Sequence, residues 1–366
     1  MQRSLSPPWL VKRFYNQGEF SEIKGILKRY NLRTVCAEAL CPNMSECYSR
    51  GMFTLLILGT KCTRSCKFCF VKKEKPSLSF AEEIENISQV VKLLDLKYLV
   101  LTSVTRDDLA DKGAGHFAEI IKTVKSLKPS LIIEALIPDF GGEETLIELV
   151  IKSGLDILAH NIETVPRLYP EIRPEAEYPL SLKVLKTAKK FGSLTKSGLI
   201  LGLGEKEDEV LAVIAELAHR EVDILTLGQY LKPGEENFAV QEFISPEKFE
   251  FYKNFAYTLG FRYVLAGPFV RSSYRAEEII VEIKNNQKGG KMEVILPELG
   301  EGINQATVSY WYFEEGEQIE EGVDLVELAT EKATFNLPSP TAGRLKKIYF
   351  NVGEVVRVGE VLAIIE

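Results

Sequence analysis

The stretch FTLLILGTKCTRSCKFC, residues 53–69, joins an apolar strand-like run to a loop that carries three cysteines. From residue 52 to about residue 267, similar apolar runs alternate with segments of helical periodicity. This alternation predicts an α/β fold whose parallel sheet closes partly or fully into a barrel, and an open doubly wound sheet is the alternative. In a barrel, functional groups lie at the carboxyl ends of the strands. The predicted strands are 53–59, 98–104, 131–137, 155–163, 197–204 and 222–230, and the predicted helices lie near 79–95, 115–127, 143–153, 179–191 and 206–219.

Composition excludes several classes of protein. The chain has 366 residues, a formal net charge of −7, and a hydrophobic fraction of 45%, so nothing in it favours nucleic acid or an anionic membrane. The longest apolar runs are too short to span a bilayer, and the amino terminus lacks the uninterrupted apolar core of a secretory signal. We therefore expect a cytoplasmic protein with reduced cysteines.

The sequence divides into four regions. An amino-terminal extension, 1–50, carries the first cysteines, and the predicted core is 51–283. The polar, glycine-bearing segment 284–291 is typical of a flexible linker. The last region, 292–366, has short β runs and no helical periodicity, and its segment 314–329 aligns without a gap with 351–366. This internal repeat predicts a small all-β sandwich built from two similar halves.

The cysteines of the stretch quoted above, Cys62, Cys66 and Cys69, have the spacing C-x3-C-x2-C. Three thiolates on one tight loop suit an iron–sulfur cluster or zinc. Structural zinc takes four protein ligands, and the nearest histidine in sequence is His116. A four-iron cluster held by three cysteines leaves one iron without a protein ligand. An open iron indicates a catalytic cluster, since a structural cluster has no need of one.

These three cysteines are the second of two triads in the chain. With Phe68 before the last cysteine, this second triad resembles the radical S-adenosylmethionine (SAM) superfamily. The resemblance implies a [4Fe-4S] cluster whose open iron chelates the methionine part of SAM. It also implies a 5′-deoxyadenosyl radical, which is strong enough to take hydrogen from an unactivated C–H bond.

A first triad, Cys36, Cys41 and Cys47, precedes it with the spacing C-x4-C-x5-C. Two such triads, together with TVCAEALCPNMSEC, TSVTRDDLADKGAGHF, HNIETVPRLYPEIRP and GPFVRSSYRA, resemble the lipoyl synthase family over about residues 8–280. Family members more often have glutamate at the position of Ala37 and tryptophan at that of Tyr48. Neither position is a ligand, so these departures leave the implied activity intact.

The resemblance assigns an auxiliary [4Fe-4S] cluster to the first triad, with a serine of the motif at 271–274 as its fourth ligand. We favour Ser273, with Ser272 as the alternative, and place Arg271 beside it in the catalytic site. A serine oxygen matches iron–sulfur chemistry poorly, so this ligand should be labile. Lability suits a cluster that is dismantled as the sulfur donor.

Polar residues after the second and fourth predicted strands are the candidates for SAM binding. Asn161 and Glu163 are assigned to the ribose hydroxyls and the amino group, and Arg173 to the carboxylate. Arg106, with Asp107 and Asp108, is assigned to SAM or to the substrate chain. His116 and His160 are interpreted as structural.

In the last region, VELATEKATFNLPSP at 326–340 places Lys332 between the two repeats. This arrangement resembles the lipoyl (biotinyl-type) carrier domain and implies a covalent lipoyl group on Lys332. An unmodified module that docks an acyltransferase or a dehydrogenase complex is the alternative.

The family resemblance implies insertion of sulfur at C6 and C8 of an octanoyl chain carried by a lysine. The implied partners are octanoylated lipoyl domains in cis or in trans, a ferredoxin or flavodoxin as electron donor, and an iron–sulfur carrier. A methylthiotransferase and a biotin synthase are the alternative enzymes, and both lack the combination of the first triad with the distal serine motif.

Overall fold

A computed structural model describes residues 7–11, 17–59, 61–71, 79–276, 278–279, 292–297, 304–330 and 334–366. The chain forms two compact units, Met1–Glu277 and Glu278–Glu366, which are considered separately below. The predicted linker at 284–291 and the predicted attachment residue Lys332 lie outside the described residues.

The first unit is built on a seven-stranded sheet in which the strands lie side by side in chain order, every adjacent pair parallel. A doubly wound sheet reverses its strand order at a switch point, and this sheet has no such reversal. The α/β barrel prediction is therefore confirmed as a partial barrel, and the open doubly wound alternative is wrong. The strands are β1 (Thr54–Ile57), β2 (Tyr98–Ser103), β3 (Ile132–Leu136), β4 (Ile157–Ala159), β5 (Leu194–Leu201), β6 (Ile224–Gln229) and β7 (Tyr263–Gly267).

Three strands differ clearly from the prediction. The fifth was expected over 197–204 but spans Leu194–Leu201. The fourth was expected over 155–163, but it ends at Ala159 because the next residues turn to carry polar side chains, with Glu163 in the left-handed region at φ 69°. The seventh, Tyr263–Gly267, was not predicted, since its run of apolar residues is short and ends in Ala266 and Gly267.

The helices between the strands agree in position with the five that were predicted. Ser79 and Glu82 form the capping box at the start of the first of them. A helix capped by Ser245, with proline at its first position, had not been predicted. The helices of this unit are α1 (Gln17–Arg29), α2 (Val35–Glu38), α3 (Met44–Ser49), α4 (Phe80–Leu93), α5 (Ala114–Leu127), α6 (Glu144–Ile151), α7 (Tyr169–Ile172), α8 (Tyr178–Lys190), α9 (Glu207–His219) and α10 (Pro246–Thr258).

One ion pair is fully buried in the sheet. Lys196 of β5 donates to both carboxylate oxygens of Glu134 on β3, at 3.0 and 2.9 Å, and the Tyr98 hydroxyl donates to the same carboxylate at 2.6 Å. Each of these polar groups therefore has a partner, which offsets the cost of taking two charges out of water. Among the described helices, none combines the length and the apolar character needed to cross a membrane.

The second unit consists of two antiparallel four-stranded sheets, in the orders β10-β13-β15-β8 and β12-β11-β9-β14, and confirms the predicted all-β fold. The repeat is visible in the structure: Leu325 and Leu362 are both fully buried, and Gly316 and Gly353 both have positive φ, at 99° and 90°. The strands are β8 (Met292–Ile295), β9 (Gln305–Trp311), β10 (Gln318–Ile319), β11 (Asp324–Ala329), β12 (Thr334–Pro338), β13 (Gly343–Ile348), β14 (Val355–Arg357) and β15 (Val361–Ile365).

Candidate functional site

Two neighbouring cavities open at the carboxyl ends of the parallel strands. The larger cavity, of about 740 Å³, is lined by Cys62, Cys66 and Cys69. The smaller cavity, of about 450 Å³, is lined by Cys36 and Cys41 of the first triad and by all three of Arg271, Ser272 and Ser273. The second triad therefore lines the larger cavity, and Cys69 lines the smaller one as well, while Cys47 of the first triad lines neither.

The two cavities share a wall. Phe68, Cys69, Phe70, Asn161 and Glu163 line both of them. The rest of the smaller cavity is largely apolar, with Leu40, Ile200, Leu231 and Val270 among its lining residues. Asn161 and Glu163, which follow β4, thus lie between two spaces that both contain cysteines, and the larger space also contains the charged side chains of Arg64 and Arg173.

The loop that carries the second triad is fixed to the sheet by charged side chains. Arg64 donates to Asp107 at 3.0 Å and to Asp139 at 2.8 Å, and Ser65 donates to Glu175 through its amide and its hydroxyl at 3.1 and 2.6 Å. Burial by itself would raise the pKa of Asp139, but the hydrogen bonds from Arg64 and the Gly141 amide hold it below its usual value. The loop is anchored through its own residues between the cysteines.

The first triad lies on two short helices, α2 with Cys36 and α3 with Cys47, and on the connection between them, which carries Cys41. Thr34 caps α2 by accepting from the Ala37 amide, and this places Cys36 in the core. Burial, followed by the nearby Cys41 thiol, raises the pKa of the Cys36 thiol to about 11. Bound iron would stabilise the thiolate form of such a cysteine, because a cation favours the negatively charged state of its ligand.

The distal motif is held against the first triad by contacts that span most of the unit. The Asn43 amide donates to the Phe269 carbonyl at 2.6 Å, and the Tyr274 hydroxyl donates to Glu46 at 2.9 Å. A Cβ added to Gly228 of β6 would lie 2.1 Å from the Val270 carbonyl oxygen, so glycine is required for this close approach.

The two serines of the motif face different groups. The Thr54 hydroxyl, which also hydrogen-bonds the Cys36 thiol, donates to Ser273 Oγ at 2.7 Å. Ser272 Oγ instead donates to Asn161 Oδ1 at 3.4 Å. Ser273 is thus the serine directed toward the first triad, and its oxygen is the acceptor.

Asn161, Glu163 and Arg173 form one cluster at the shared wall. The Asn161 amide donates to Glu163 at 3.1 Å, and Arg173 donates to the carbonyls of Asn161 and Ile162, both at 3.1 Å. Burial raises the pKa of Glu163, against the opposing effects of Arg173 and Asn161. Burial likewise raises the pKa of the Cys66 thiol, which Arg173 opposes. The guanidinium therefore lies close enough to influence both the carboxylate and the cysteine.

The larger cavity fits SAM by its size and by its polar groups. Within the described ranges, Ser103 Oγ, His160 Nε2 and Arg173 Nε are buried without a hydrogen-bond partner, and all three residues line this cavity. SAM carries an amino acid group, ribose hydroxyls and an adenine ring, which need such donors and acceptors. A cavity of this volume is typical of cofactor sites.

Arg106 is not brought to the site. Its guanidinium pairs with Asp108 at 2.8 Å, and it is absent from the lining of both cavities. Asp107 is engaged by Arg64. In the part of the chain that the structure describes, no group of three His, Cys, Asp or Glu side chains is arranged to hold a single metal ion. The ligands of a four-iron cluster are spread over several irons and need a wider spacing.

Several residues at the site were not singled out from the sequence. Arg64, Asp139 and Glu175 anchor the second triad, and the only signal for Arg64 was its place between two of the cysteines. His160 was interpreted as structural. Its Nδ1 is 2.9 Å from the Ile137 carbonyl, so Nδ1 carries the proton and the Nε2 lone pair faces the larger cavity.

Comparisons with known proteins agree with this geometry. Residues 56–217 match the radical SAM superfamily. A lipoyl synthase of Caldicellulosiruptor saccharolyticus is 49% identical over 280 residues, which cover 76% of this chain and 98% of that protein. The chain belongs to the lipoyl synthase family. A second lipoyl synthase, of Chlorobaculum parvum, is 45% identical over 284 residues, covering 76% of this chain and 97% of the relative. The protein is accordingly a radical SAM sulfurtransferase.

The second unit has matches of its own. Residues 292–365 match a family described as biotin-requiring enzymes. A solution structure of the lipoyl domain of the 2-oxoglutarate dehydrogenase complex from Azotobacter vinelandii is 25% identical to the chain, covering 20% of this chain and 95% of that domain with a TM-score of 0.19. The family match identifies the carboxyl-terminal region of the chain as a domain of the biotin and lipoyl type.

The buried imidazole of His160 makes stability depend on pH. Burial, and then the charge of Arg173, lowers its pKa from 6.5 to about 4. As the pH falls from about 6.5 to about 4, the unfolded chain binds a proton at this histidine and the folded chain does not. The free energy of unfolding therefore decreases by about 3 kcal/mol over this range. Urea unfolding across this range should show a weaker pH dependence in His160→Asn, whose amide can still donate to Ile137.

The exposed His219 provides the control, and His219→Asn should follow the wild-type pH profile. Equal pH profiles for wild type and His160→Asn would contradict a buried neutral imidazole.

Proposed function

We propose that the protein inserts sulfur at C6 and C8 of an octanoyl chain held in amide linkage on a carrier-domain lysine, with the iron–sulfur cluster of the first triad as the sulfur-donating substrate. The observation that carries the proposal is the shared wall. One cysteine triad faces each cavity, and Cys69, Asn161 and Glu163 touch both. A carbon atom at this wall would be within reach of a radical source on one side and of a sulfur source on the other.

In this proposal the larger cavity holds SAM on a [4Fe-4S] cluster bound by Cys62, Cys66 and Cys69. When bound, this pair supplies the 5′-deoxyadenosyl radical that removes hydrogen from C6 and C8. Arg173 balances the methionine carboxylate, and Glu163 accepts from the amino group. His160 offers its Nε2 lone pair to a donor of the ligand. The buried position of these groups keeps their orientation fixed before the ligand enters.

The smaller cavity, in the same proposal, holds the acyl chain against the auxiliary cluster of Cys36, Cys41, Cys47 and Ser273. Its apolar lining suits a hydrocarbon chain and excludes water from a carbon radical. The hydrogen bond that Ser273 accepts from Thr54 supports Ser273 as the ligand, because it stabilises negative charge on the oxygen. Arg271, half-buried near Cys41, adds positive charge at the same place.

We also propose the division of labour along the chain. Residues 51–283, with the cysteine-bearing extension 1–50, act as the enzyme, and 292–366 acts as a carrier whose Lys332 receives the acyl and then the lipoyl group. The proposed setting is the cytoplasm, with a ferredoxin or flavodoxin as electron donor and an iron–sulfur carrier to rebuild the auxiliary cluster. The match of 292–365 to the biotin-requiring family supports the carrier role.

Removal of the first triad tests the sulfur-donor assignment. Cys36→Ala/Cys41→Ala/Cys47→Ala should still release 5′-deoxyadenosine from SAM, because the larger cavity is untouched, while lipoyl product falls to background. Bound iron should drop by about half, from two four-iron clusters to one. The matched control, Cys62→Ala/Cys66→Ala/Cys69→Ala, should lose both activities. Lipoyl formation by the first variant would refute the proposal.

The two serines can be separated by substitution. Ser273→Ala should lower lipoyl formation by at least about tenfold and weaken retention of the auxiliary cluster against a chelator, since it removes a ligand. Among the described contacts, Ser272→Ala removes the long hydrogen bond to Asn161. This variant should keep most of the lipoyl formation and most of the cluster retention. The reverse ranking would assign the ligand to Ser272.

The carrier domain is proposed as a substrate of its own enzyme. A flexible linker of eight residues has a root-mean-square span of roughly 16 Å, which gives an effective concentration on the order of mM. With Lys332 octanoylated, the single-turnover rate constant per molecule should then stay constant on dilution. A Lys332→Arg chain supplied with a separate octanoylated carrier domain should slow in proportion to concentration.

A rate constant for the intact chain that also falls on dilution would show that the reaction occurs in trans. A Lys332 peptide of unshifted mass, from a host that lipoylates its proteins, would instead favour a docking module without modification.

A further inference from the structure

The loop that follows β6 touches both cavities and has no role in the mechanism described so far. Residues 230–233 line the smaller cavity, and Glu236 and Asn237 line the larger one. The loop therefore runs from the proposed acyl site to the proposed SAM site within eight residues.

The Asn237 side chain hydrogen-bonds to the backbone of the loop that carries the second triad. Its Nδ2 donates to the Lys67 carbonyl at 3.1 Å and to the Cys69 carbonyl at 3.0 Å. The amide of Phe238 donates to the same Lys67 carbonyl at 3.1 Å. One amide nitrogen thus fixes the backbone on both sides of Phe68, between the second and third cysteines.

The other end of the loop contacts the aromatic ring that follows the triad. A Cβ added to Gly234 would lie 2.5 Å from Cε2 of Phe70, so this ring packs directly on the loop backbone. The Tyr230 hydroxyl donates to the Phe238 carbonyl at 2.8 Å and closes the loop on itself. Because Phe70 lines both cavities, a group that fills the smaller cavity meets this ring and the loop together.

We propose that Asn237 is a positioning residue that couples the smaller cavity to the cysteine loop. An acyl chain in the smaller cavity holds residues 230–237 and Phe70 in place, and Asn237 then fixes the carbonyls of Lys67 and Cys69. The proposal rests on the proposed function for the identity of the occupant. Asn237 holds both carbonyls in the structure, so an acyl chain reinforces an existing geometry, and the cysteine loop is held most firmly when a hydrogen donor is present.

The test uses the full chain without clusters and follows alkylation of Cys66 by mass spectrometry. Cys66 lines the larger cavity and is absent from the lining of the smaller one, so an acyl chain in the smaller cavity does not cover it directly. Asn237→Asp keeps the size of the side chain and removes both donated hydrogen bonds, and Asn237→Ala checks that the new charge is not the cause. Gln241→Ala is the control, because Gln241 lies on the same segment and its side chain donates only to the Ala239 carbonyl, at 3.0 Å, among the described residues.

Both Asn237 variants should alkylate Cys66 about fivefold faster than wild type or more, the factor expected from one or two lost hydrogen bonds. Gln241→Ala should match wild type, and the buried Cys36 should react equally slowly in all four proteins. An octanoyl-lysine peptide should slow Cys66 alkylation in wild type and Gln241→Ala and leave it unchanged in the Asn237 variants.

Equal rates of Cys66 alkylation in wild type and both Asn237 variants would refute the proposal that Asn237 holds the cysteine loop. Protection by the peptide that survives in those variants would overturn the coupling. Failure of the proposed function is seen separately: a reconstituted wild-type chain that forms no lipoyl product would refute it, whatever the alkylation rates.

Discussion

All seven strands of the first unit run in one direction and follow one another in chain order, so their carboxyl ends meet at a single edge. This constraint brings together segments that are far apart in sequence: the second triad after β1, the polar residues after β4, the loop after β6 and the serine motif after β7. The first triad joins them from outside the sheet, because α2 packs beside β1 and α3 packs on α1. Both cavities are consequences of this convergence.

The residues that separate the cavities are held by a short hydrogen-bonded chain. Ser272 donates to Asn161, Asn161 donates to Glu163, and Arg173 holds the Asn161 backbone. The left-handed backbone of Glu163 is an uncommon conformation for a residue other than glycine, and such conformations persist where the surroundings impose them. Here the neighbouring strand imposes it, since the Glu163 amide donates to Gly198 at 2.9 Å and its carbonyl accepts from Ile200 at 2.8 Å. These two hydrogen bonds tie Glu163 to the sheet beyond the end of β4 and restrict its movement.

The sequence was most informative where the signal is local. Apolar runs identified six of the seven strands, and the capping box at Ser79 identified the start of a helix. The internal repeat predicted the second unit because equivalent positions, such as Leu325 and Leu362, occupy equivalent places in its core. The seventh strand escaped prediction because the small residues at its end carry no strand preference, and only pairing with β6 specifies it.

The site was predictable in its cysteines and less so in its supporting residues. Spacing alone identifies a cysteine triad, whereas Asn237 gains its meaning from carbonyls at positions 67 and 69, which no pattern in its own segment reveals. His160 was taken as structural because a lone histidine in an apolar segment is most often so. Its partner, the carbonyl of Ile137 just after β3, and its unpartnered nitrogen become visible only in three dimensions. Arg106, by contrast, was assigned to SAM or the substrate because it follows a strand, but its guanidinium forms an ion pair with Asp108, two residues further on.

The hydrogen bond between Thr54 and Ser273 joins residues 219 positions apart. During synthesis at about 5–20 residues per second, the first triad therefore leaves the ribosome on the order of tens of seconds before the serine that faces it. For most of that interval, once Cys69 has also emerged, the six cysteines of the chain are present without the segment that completes the smaller cavity. Assembly of that site is thus a late event in the life of the polypeptide, and its timing is set by the order of the strands.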